Sequence, residues 1–201
     1  MNFTDLRIIK TQERLQNALL ELLNTKELKT ITVKEICTLA GISRNAFYQH
    51  YRYKEDLYDQ MVAQATERIR DSLTPVVSDV SRIRENTVIT YSKRIINGIS
   101  EVRKLIYVML KGDDGVFLRQ LTNLVFAQLL ANALPFFDVN DSKELRLYYE
   151  FLSAGMAAFI IKWVSEEDVS EEKAVALLAE ILIRISTKLP KQLRQSSEPA
   201  K

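Results

Sequence analysis

Four polar side chains near the end of the first quarter of the chain have types and spacing suited to binding a nucleic-acid duplex. At about 100° per residue they share one arc of a helix, opposite a phenylalanine. They are Arg44, Asn45, Tyr48 and Gln49, with Phe47 on the inner side. Arginine can bind a guanine edge with two hydrogen bonds, and asparagine or glutamine can pair with adenine. A tyrosine hydroxyl suits a phosphate oxygen. A helix packed in a bundle with a solvated polar face would show the same pattern.

The residues around this helix predict a sharply turned pair of short helices. Thr32 and Glu35 have the spacing of a capping box, which begins a helix of about eight residues. Gly41 lies where the chain must reverse, and glycine takes the left-handed conformation there without penalty. Ser43 is a good N-cap for a second helix from about Arg44 to Tyr51. Two short helices joined by a glycine turn match the helix-turn-helix pattern.

Residues 11–60 resemble the DNA-binding domain of the tetracycline-repressor (TetR) family. The resemblance rests on the strings ITVKEICTLAGIS, AFYQHY and KEDL. Here Tyr51 stands where the family usually has phenylalanine, and Arg44-Asn45 replaces a pair that is often small or contains glycine. The resemblance implies that three residues hold phosphates: Thr32, Tyr48 and Lys54. It implies that five lie at or near base edges: Ser43, Arg44, Asn45, Gln49 and His50.

The charge distribution fits contact with DNA through one end of the chain. The protein has 201 residues and a net charge of +2. Residues 1–55 hold nine Lys and Arg against six Asp and Glu, a balance of +3, while the remainder holds nineteen against twenty, a balance of −1. A modestly basic N-terminal part, residues 1–55, which we call the head, followed by a nearly neutral remainder is the charge pattern expected of a chain with one DNA-binding domain.

The composition argues against catalytic and metal sites. The single cysteine excludes an internal disulfide and a cysteine-cluster metal site, and the single histidine, His50, has no partners for a nucleophilic triad. We therefore expect no enzyme activity, cofactor or metal. No signal peptide is visible, and the apolar stretch 151–161 is too short to span a membrane, so we expect a cytoplasmic protein with no membrane partner.

Apolar residues at helical spacing predict an all-α fold. The resemblance implies that this fold divides into an N-terminal three-helix helix-turn-helix domain and a C-terminal helical ligand-binding and dimerisation domain. The predicted helices are about Asp5–Leu23, Lys54–Leu73, 86–98, 101–110, 115–134, 142–164 and 171–189, besides the pair above. Glycine, proline and polar runs predict breaks at 98–100, 112–115, 135–140 and 166–170. The predicted domains are 1–53 for DNA binding and 54–189 for effector binding and dimerisation, followed by a disordered tail at 190–201.

The last two predicted helices are apolar on more than one side, which calls for cover from another element or another chain. Members of the TetR family dimerise through their last two long helices, so the resemblance implies a homodimer that meets the two half-sites of a near-palindrome. The expected interface residues are Leu152, Gly155, Phe159, Trp163, Leu178, Ile181 and Ile185. The alternative is that both helices are simply central in the core of one chain.

A cavity among the middle helices could bind a small-molecule effector. The candidate lining residues are Tyr91, Tyr107, Phe117, Phe126, Tyr148 and Phe151. Aromatic residues at helical spacing are also common in a plain core, so the pattern does not separate a pocket from packing.

The sequence thus predicts a TetR-type transcriptional regulator that binds double-stranded DNA, with repression modulated by an effector. A pendulum-like shift of the helix at Lys54–Leu73 would carry the signal, provided that the effector binds one state better than the other. The first alternative is a co-regulator of the same fold that acts through protein partners. A weaker one is a ligand-carrying or enzymatic helical domain, whose turnover would survive deletion of residues 1–50.

Overall fold

The computed structural model describes residues 3–74, 84–111, 116–133, 143–166 and 168–186. All regular secondary structure within these ranges is helical, which confirms the predicted all-α class. The α-helices are α1 (Phe3–Leu23), α2 (Val33–Ala40), α3 (Arg44–Tyr48), α4 (Lys54–Leu73), α5 (Glu85–Ser100), α6 (Arg103–Leu110), α7 (Val116–Ala133), α8 (Lys143–Ser165) and α9 (Glu171–Ser186), with a 3-10 turn at Leu28–Thr30.

The helices form two compact units. The first holds the described residues up to 67 together with 104–111, so that α6 clusters with the N-terminal helices. The second holds residues 68–103 and the described residues from 116 onward. Helix α4 therefore contributes residues to both units. The domain boundary predicted between residues 53 and 54 remains a prediction.

The first unit is built where α1 packs on α2 and α2 packs on α3. The largest side chains of its core are almost fully buried and come from α1, α2, α3, α4, α6 and the segment before α2: Leu15, Leu19, Ile31, Ile36, Phe47, Leu57 and Ile106. Burying a side chain of this size contributes about 1.5–3 kcal/mol relative to leaving it exposed. This core fixes the faces of α2 and α3 that remain outside.

In the second unit α5 packs along α9 and α7 packs along α8. The predicted break at 98–100 is wrong, because α5 continues through Gly98 to Ser100. A Cβ atom on Gly98 would lie 2.5 Å from the Cβ of Ser72. This glycine therefore permits close packing against the end of α4 and does not end the helix.

The remaining predicted boundaries agree with the structure within a few residues, and the described part of the break at 166–170 is non-helical. The predicted breaks at 112–115 and 135–140 and the predicted tail at 190–201 lie outside the described residues.

One helix of the described residues is long and apolar enough to cross a membrane, Arg146–Ser165 within α8, with a mean hydropathy of 1.2. The core helix of a soluble protein passes the same test, so one such helix is weak evidence for a span. On one side α8 is buried within its own unit, as at Ala157, Ile160 and Val164.

Candidate nucleic-acid interface

A complete capping box begins α2. The Thr32 hydroxyl accepts a hydrogen bond from the Glu35 backbone N–H at 3.2 Å, and the Thr32 backbone N–H donates to Glu35 Oε2 at 2.8 Å. The Thr32 hydroxyl also donates to that oxygen at 2.7 Å, while Lys26 Nζ lies 2.5 Å from Glu35 Oε1. The hydrogen bonds from Lys26 and then from Thr32 lower the pKa of Glu35 to about 2. Both donors of Thr32 are thus already engaged, and its implied phosphate contact remains a prediction.

The turn between α2 and α3 has the left-handed glycine that the sequence predicts. Gly41 has φ of 62°, and its N–H donates to the Thr38 carbonyl at 3.3 Å. The next N–H, of Ile42, donates to the Cys37 carbonyl at 3.0 Å. These bonds satisfy carbonyl groups that a helix end leaves free. The chain therefore reverses within two residues and starts α3 at once.

Helix α3 is capped as predicted but is shorter than predicted. The Ser43 hydroxyl accepts from the Ala46 N–H at 3.1 Å, and the helix covers only Arg44–Tyr48. The N–H groups of His50 and Tyr51 both donate to the Phe47 carbonyl, at 2.9 and 3.0 Å, which tightens the chain into a turn. The predicted end at Tyr51 is therefore wrong, and His50 lies in the turn after the helix.

The polar residues of α3 face solvent, as expected for residues that contact a duplex. Phe47 has no solvent exposure and anchors the helix from below, while Tyr48 is 50% exposed. Arg44, Asn45 and Gln49 are exposed as well. The Phe47 and Tyr48 rings meet edge to face, with their centres 5.4 Å apart. This contact with the buried Phe47 ring helps to orient the Tyr48 side chain. Among the candidates near base edges, Ser43 is exposed and His50 is half-buried.

The tyrosine that replaces the usual phenylalanine is accommodated by a partner on α4. Tyr51 is 6% exposed, and its hydroxyl donates to Gln60 Oε1 at 2.5 Å. Burial raises the pKa of this hydroxyl. A buried hydroxyl needs such a partner, because leaving it unpaired costs about 1–3 kcal/mol.

Lys54 is bound to the protein's own backbone. Its Nζ donates to the Ile31 carbonyl at 2.7 Å and to the Lys29 carbonyl at 3.1 Å, and its side chain is only 16% exposed. The ammonium thus ties the start of α4 to the segment that precedes α2. Its implied contact with a phosphate remains a prediction, and a phosphate would have to compete with these carbonyls.

One contact at this surface was not predicted from the sequence. Arg14 Nη2 donates to the Gly41 carbonyl at 3.3 Å, so α1 is linked directly to the turn. A Cβ atom on Gly41 would lie 2.7 Å from the same nitrogen. The sequence does carry a trace of this surface, since Arg7 and Lys10 recur at helical spacing before Arg14.

The aromatic residues predicted to bind an effector are divided between the two units. Tyr107 lies in the first unit, with the Lys111 ammonium 4.8 Å from its ring centre. Tyr91 lies in the second unit, where its hydroxyl donates to the Leu73 carbonyl at 2.8 Å and burial raises its pKa.

The other four aromatic candidates lie in the second unit with different surroundings. Phe117 is buried, Phe126 and Tyr148 are half-buried, and Phe151 is 71% exposed. An open groove of about 740 Å³ between α5 and α9 is lined by apolar and charged residues, and none of the six aromatic candidates is among them. Their role in effector binding remains a prediction.

The residues predicted to form a dimer interface come together, with one exception. A groove of about 320 Å³ between α8 and α9 is lined by Phe151, Leu152, Gly155, Met156, Phe159, Leu178, Ile181, Leu182 and Ile185. Six of the seven predicted interface residues are in this set. A Cβ atom on Gly155 would have no atom within 4 Å, so the backbone is open to close approach there.

Trp163 is the exception, because it is buried inside its own chain. It is 3% exposed, its indole N–H donates to the Val169 carbonyl at 3.1 Å, and the Arg103 guanidinium lies 4.6 Å from its ring centre. The helical spacing that placed Trp163 beside Phe159 could not reveal that Arg103 covers this end of α8. Trp163 therefore has almost no surface to offer a partner.

Within the described residues, no cluster of histidine, cysteine and carboxylate side chains could hold a metal ion. The chemistry on offer at the exposed face of α3 is hydrogen bonding by a guanidinium, two amides and a phenol.

Comparisons with known proteins agree with this geometry. Residues 16–61 match the family of bacterial regulatory proteins, tetR family. A curated relative from Bacillus subtilis (strain 168), the uncharacterized HTH-type transcriptional regulator YxbF, is 38% identical over 71 residues, or 35% of this chain. The matched stretch covers only 19% of that relative's length.

Solved structures share the fold over nearly the whole chain. The dihydroxyacetone kinase operon activator DhaS is 17% identical with a TM-score of 0.59, covering 94% of this chain and 98% of its own. A tetR-family regulator from Streptomyces coelicolor is 16% identical with a TM-score of 0.59, covering 99% and 92%. A TetR regulator from Streptococcus agalactiae 2603V is 22% identical with a TM-score of 0.53, covering 89% and 97%. At these identities the likeness shows the fold alone. The comparisons thus show two things: residues 16–61 are similar to the DNA-binding region of the tetR family of bacterial regulatory proteins, and the chain shares the all-helical fold of these solved structures.

Proposed function

We propose that this chain is a cytoplasmic transcriptional regulator whose homodimer binds a near-palindromic DNA site. The observation that carries the proposal is the arrangement of α3, which Ser43 caps and the buried Phe47 anchors. Arg44 and Asn45 stand exposed at the start of that helix. In helix-turn-helix proteins the N-terminal residues of the second helix contact base edges in the major groove.

The side chains differ in what they contribute to binding. Arg44 is suited to guanine and Asn45 to adenine, so these two residues set base preference. Tyr48, beside them, is suited to a phosphate oxygen, which fixes the position of the helix without reading sequence. Gln49 follows the last residue of α3, so its amide would contact DNA at the edge of the binding surface.

The groove between α8 and α9 supports the proposed homodimer. Its lining is apolar, and Phe151 and Ile181 are 71% and 38% exposed in the single chain. In a dimer with a two-fold axis, the groove of one copy would pack against the groove of the other, and α8 and α9 of both copies would form a bundle of four helices. Two heads in one assembly would then meet two half-sites about one helical turn apart, or a multiple of that.

We further propose that the regulator is a repressor modulated by a small-molecule effector. One protein of the same fold is named an operon activator, so the direction of control does not follow from the fold alone. Control requires an effector with different affinities for two states of the dimer.

Selection of bound duplexes from a random pool tests the proposal directly, because it reports DNA binding, half-site symmetry and spacing together. Arg44→Ala should cost about 1–3 kcal/mol on the selected site and relax preference at one position. Tyr48→Phe should weaken all duplexes alike. Arg119→Ala, an exposed arginine on α7, serves as the control and should bind as the native chain does. Failure of the native chain to enrich any sequence contradicts the proposal.

A co-regulator that acts through protein partners is the second candidate. Two observations favour it, namely the small positive balance of residues 1–55 and the engagement of Thr32 and Lys54 within the protein. If both α3 variants keep their regulatory effect in cells and neither changes any DNA affinity, this candidate replaces the first.

A further inference from the structure

The first half of α1 carries three basic residues on one side. Arg7, Lys10 and Arg14 are spaced by three and four residues, which places them within an arc of roughly 60° at 100° per residue. All three are exposed. From Arg7 to Arg14 the helix rises about 10 Å.

The contact of Arg14 with the turn connects this basic stripe, Arg7, Lys10 and Arg14, to the surface of α3. Arg14 Nη2 donates to the carbonyl of Gly41, which lies two residues before the cap Ser43. The stripe therefore starts beside the helix that would read bases and continues along α1 toward its N-terminus.

Arg7 and Lys10 are available to a ligand. Among the described residues, no carboxylate forms an ion pair with either. Three other cations of the same unit are engaged: Lys26 with Glu35, Lys29 with Glu27, and Lys54 with backbone carbonyls. Two of the three charges of the stripe, those of Arg7 and Lys10, are thus exposed and are paired with no carboxylate of the described residues.

We propose that Arg7 and Lys10 form a second surface for the DNA backbone, which binds phosphates flanking the half-site read by α3. Arg14 is a positioning residue that holds the stripe at the edge of the turn. This inference rests on the proposed function and adds to it a sequence-independent contribution to affinity and a longer footprint. Each neutralised phosphate changes the slope of log K against log salt by about 0.9, so two contacts amount to about 1.8 for each bound head.

The test uses the full chain and the duplex that the random-pool selection yields. Its probe is the double variant Arg7→Gln/Lys10→Gln, with Lys143→Gln/Lys173→Gln as a control that removes equal charge from exposed positions of the second unit. Affinity is measured between about 50 and 200 mM salt, on the full duplex and on one trimmed at both flanks. The probe should lower the slope by about 1.8 per head and keep the order of base preference. Trimming should weaken the native chain and leave the probe unaffected.

Each other result counts against the inference. Equal slopes and equal sensitivity to trimming in the native chain and the probe overturn it while leaving the proposed function intact. A changed base preference in the probe would mean that these residues read bases, which also overturns it. If the probe loses binding to phosphatidylserine vesicles and keeps its DNA slope, the surface belongs to a membrane instead. If the native chain selects no duplex, the proposed function fails as well. Thermal melting of both variants shows whether either change has unfolded the protein.

Discussion

Replacement of Lys54 by methionine separates a structural role of this residue from a role in DNA binding. The substitution keeps the aliphatic stem and removes the ammonium that donates to the carbonyls of Ile31 and Lys29 at 2.7 and 3.1 Å. A hydrogen bond to a charged group contributes about 1.5–3 kcal/mol. Two bonds from one ammonium are not additive, and the side chain keeps 16% exposure, so we expect a loss of about 2–3 kcal/mol in all.

The assay is thermal unfolding at fixed protein concentration, because the Tm of the proposed dimer would depend on concentration. For a chain of this size 1 kcal/mol shifts Tm by about 2–4 °C, so the expected fall is about 4–12 °C. The control is Lys34→Met, the same change at an exposed lysine near the start of α2, which should stay within about 0.5 kcal/mol. If Lys54→Met leaves Tm unchanged and lowers the salt slope of DNA binding by about 0.9 per head, the ammonium serves a phosphate and the structural reasoning is refuted.

Three further predictions concern backbone packing and pH. Gly98→Ala should destabilise the protein by about 1–3 kcal/mol, because the new Cβ atom would lie 2.5 Å from the Cβ of Ser72. Gly155→Ala is the matched control: its Cβ atom would have no other atom within 4 Å, so the stability of the single chain should be unchanged or raised. Equal effects on chemical denaturation would contradict the packing argument. Gly41→Ala should cost about 1–2 kcal/mol, because φ of 62° disfavours a Cβ atom, and a native melting curve would argue against it. The pKa of Glu35 is lowered from 4.5 to about 2, so the stabilisation from its carboxylate should be fully present above pH 4.5 and decline as pH falls toward 2. The Tm difference between the native chain and Glu35→Gln should therefore shrink over that window. A difference that grows as pH falls would contradict this reasoning.

The caps could be predicted from the sequence because their chemistry is local. Thr32 with Glu35, Gly41 and Ser43 each act within four residues, and all four behave as their spacing predicts. The exposed face of α3 could be predicted as well, since the burial of Phe47 determines which side chains point outward.

The features that sequence reasoning missed depend on contacts between distant segments. Gly98 looks like a helix breaker until Ser72 is placed against it, and Trp163 looks like an interface residue until Arg103 covers it. Lys54 looks like a free cation, although residues more than twenty positions earlier supply its acceptors. Periodicity along one helix contains no information about such partners.

The membership of α6 in the first unit bears on how this protein can be dissected. The Lys111 ammonium donates to the Asn24 carbonyl at 3.1 Å, and Val108 lines a cleft together with Tyr58 and the segment after α1. A fragment that stops at residue 74 lacks these partners, although it contains the whole helix-turn-helix. A chimaera that takes its N-terminal domain from a relative would therefore need two segments of that relative, one from the start of the chain and one around α6, so that the core of the first unit is complete.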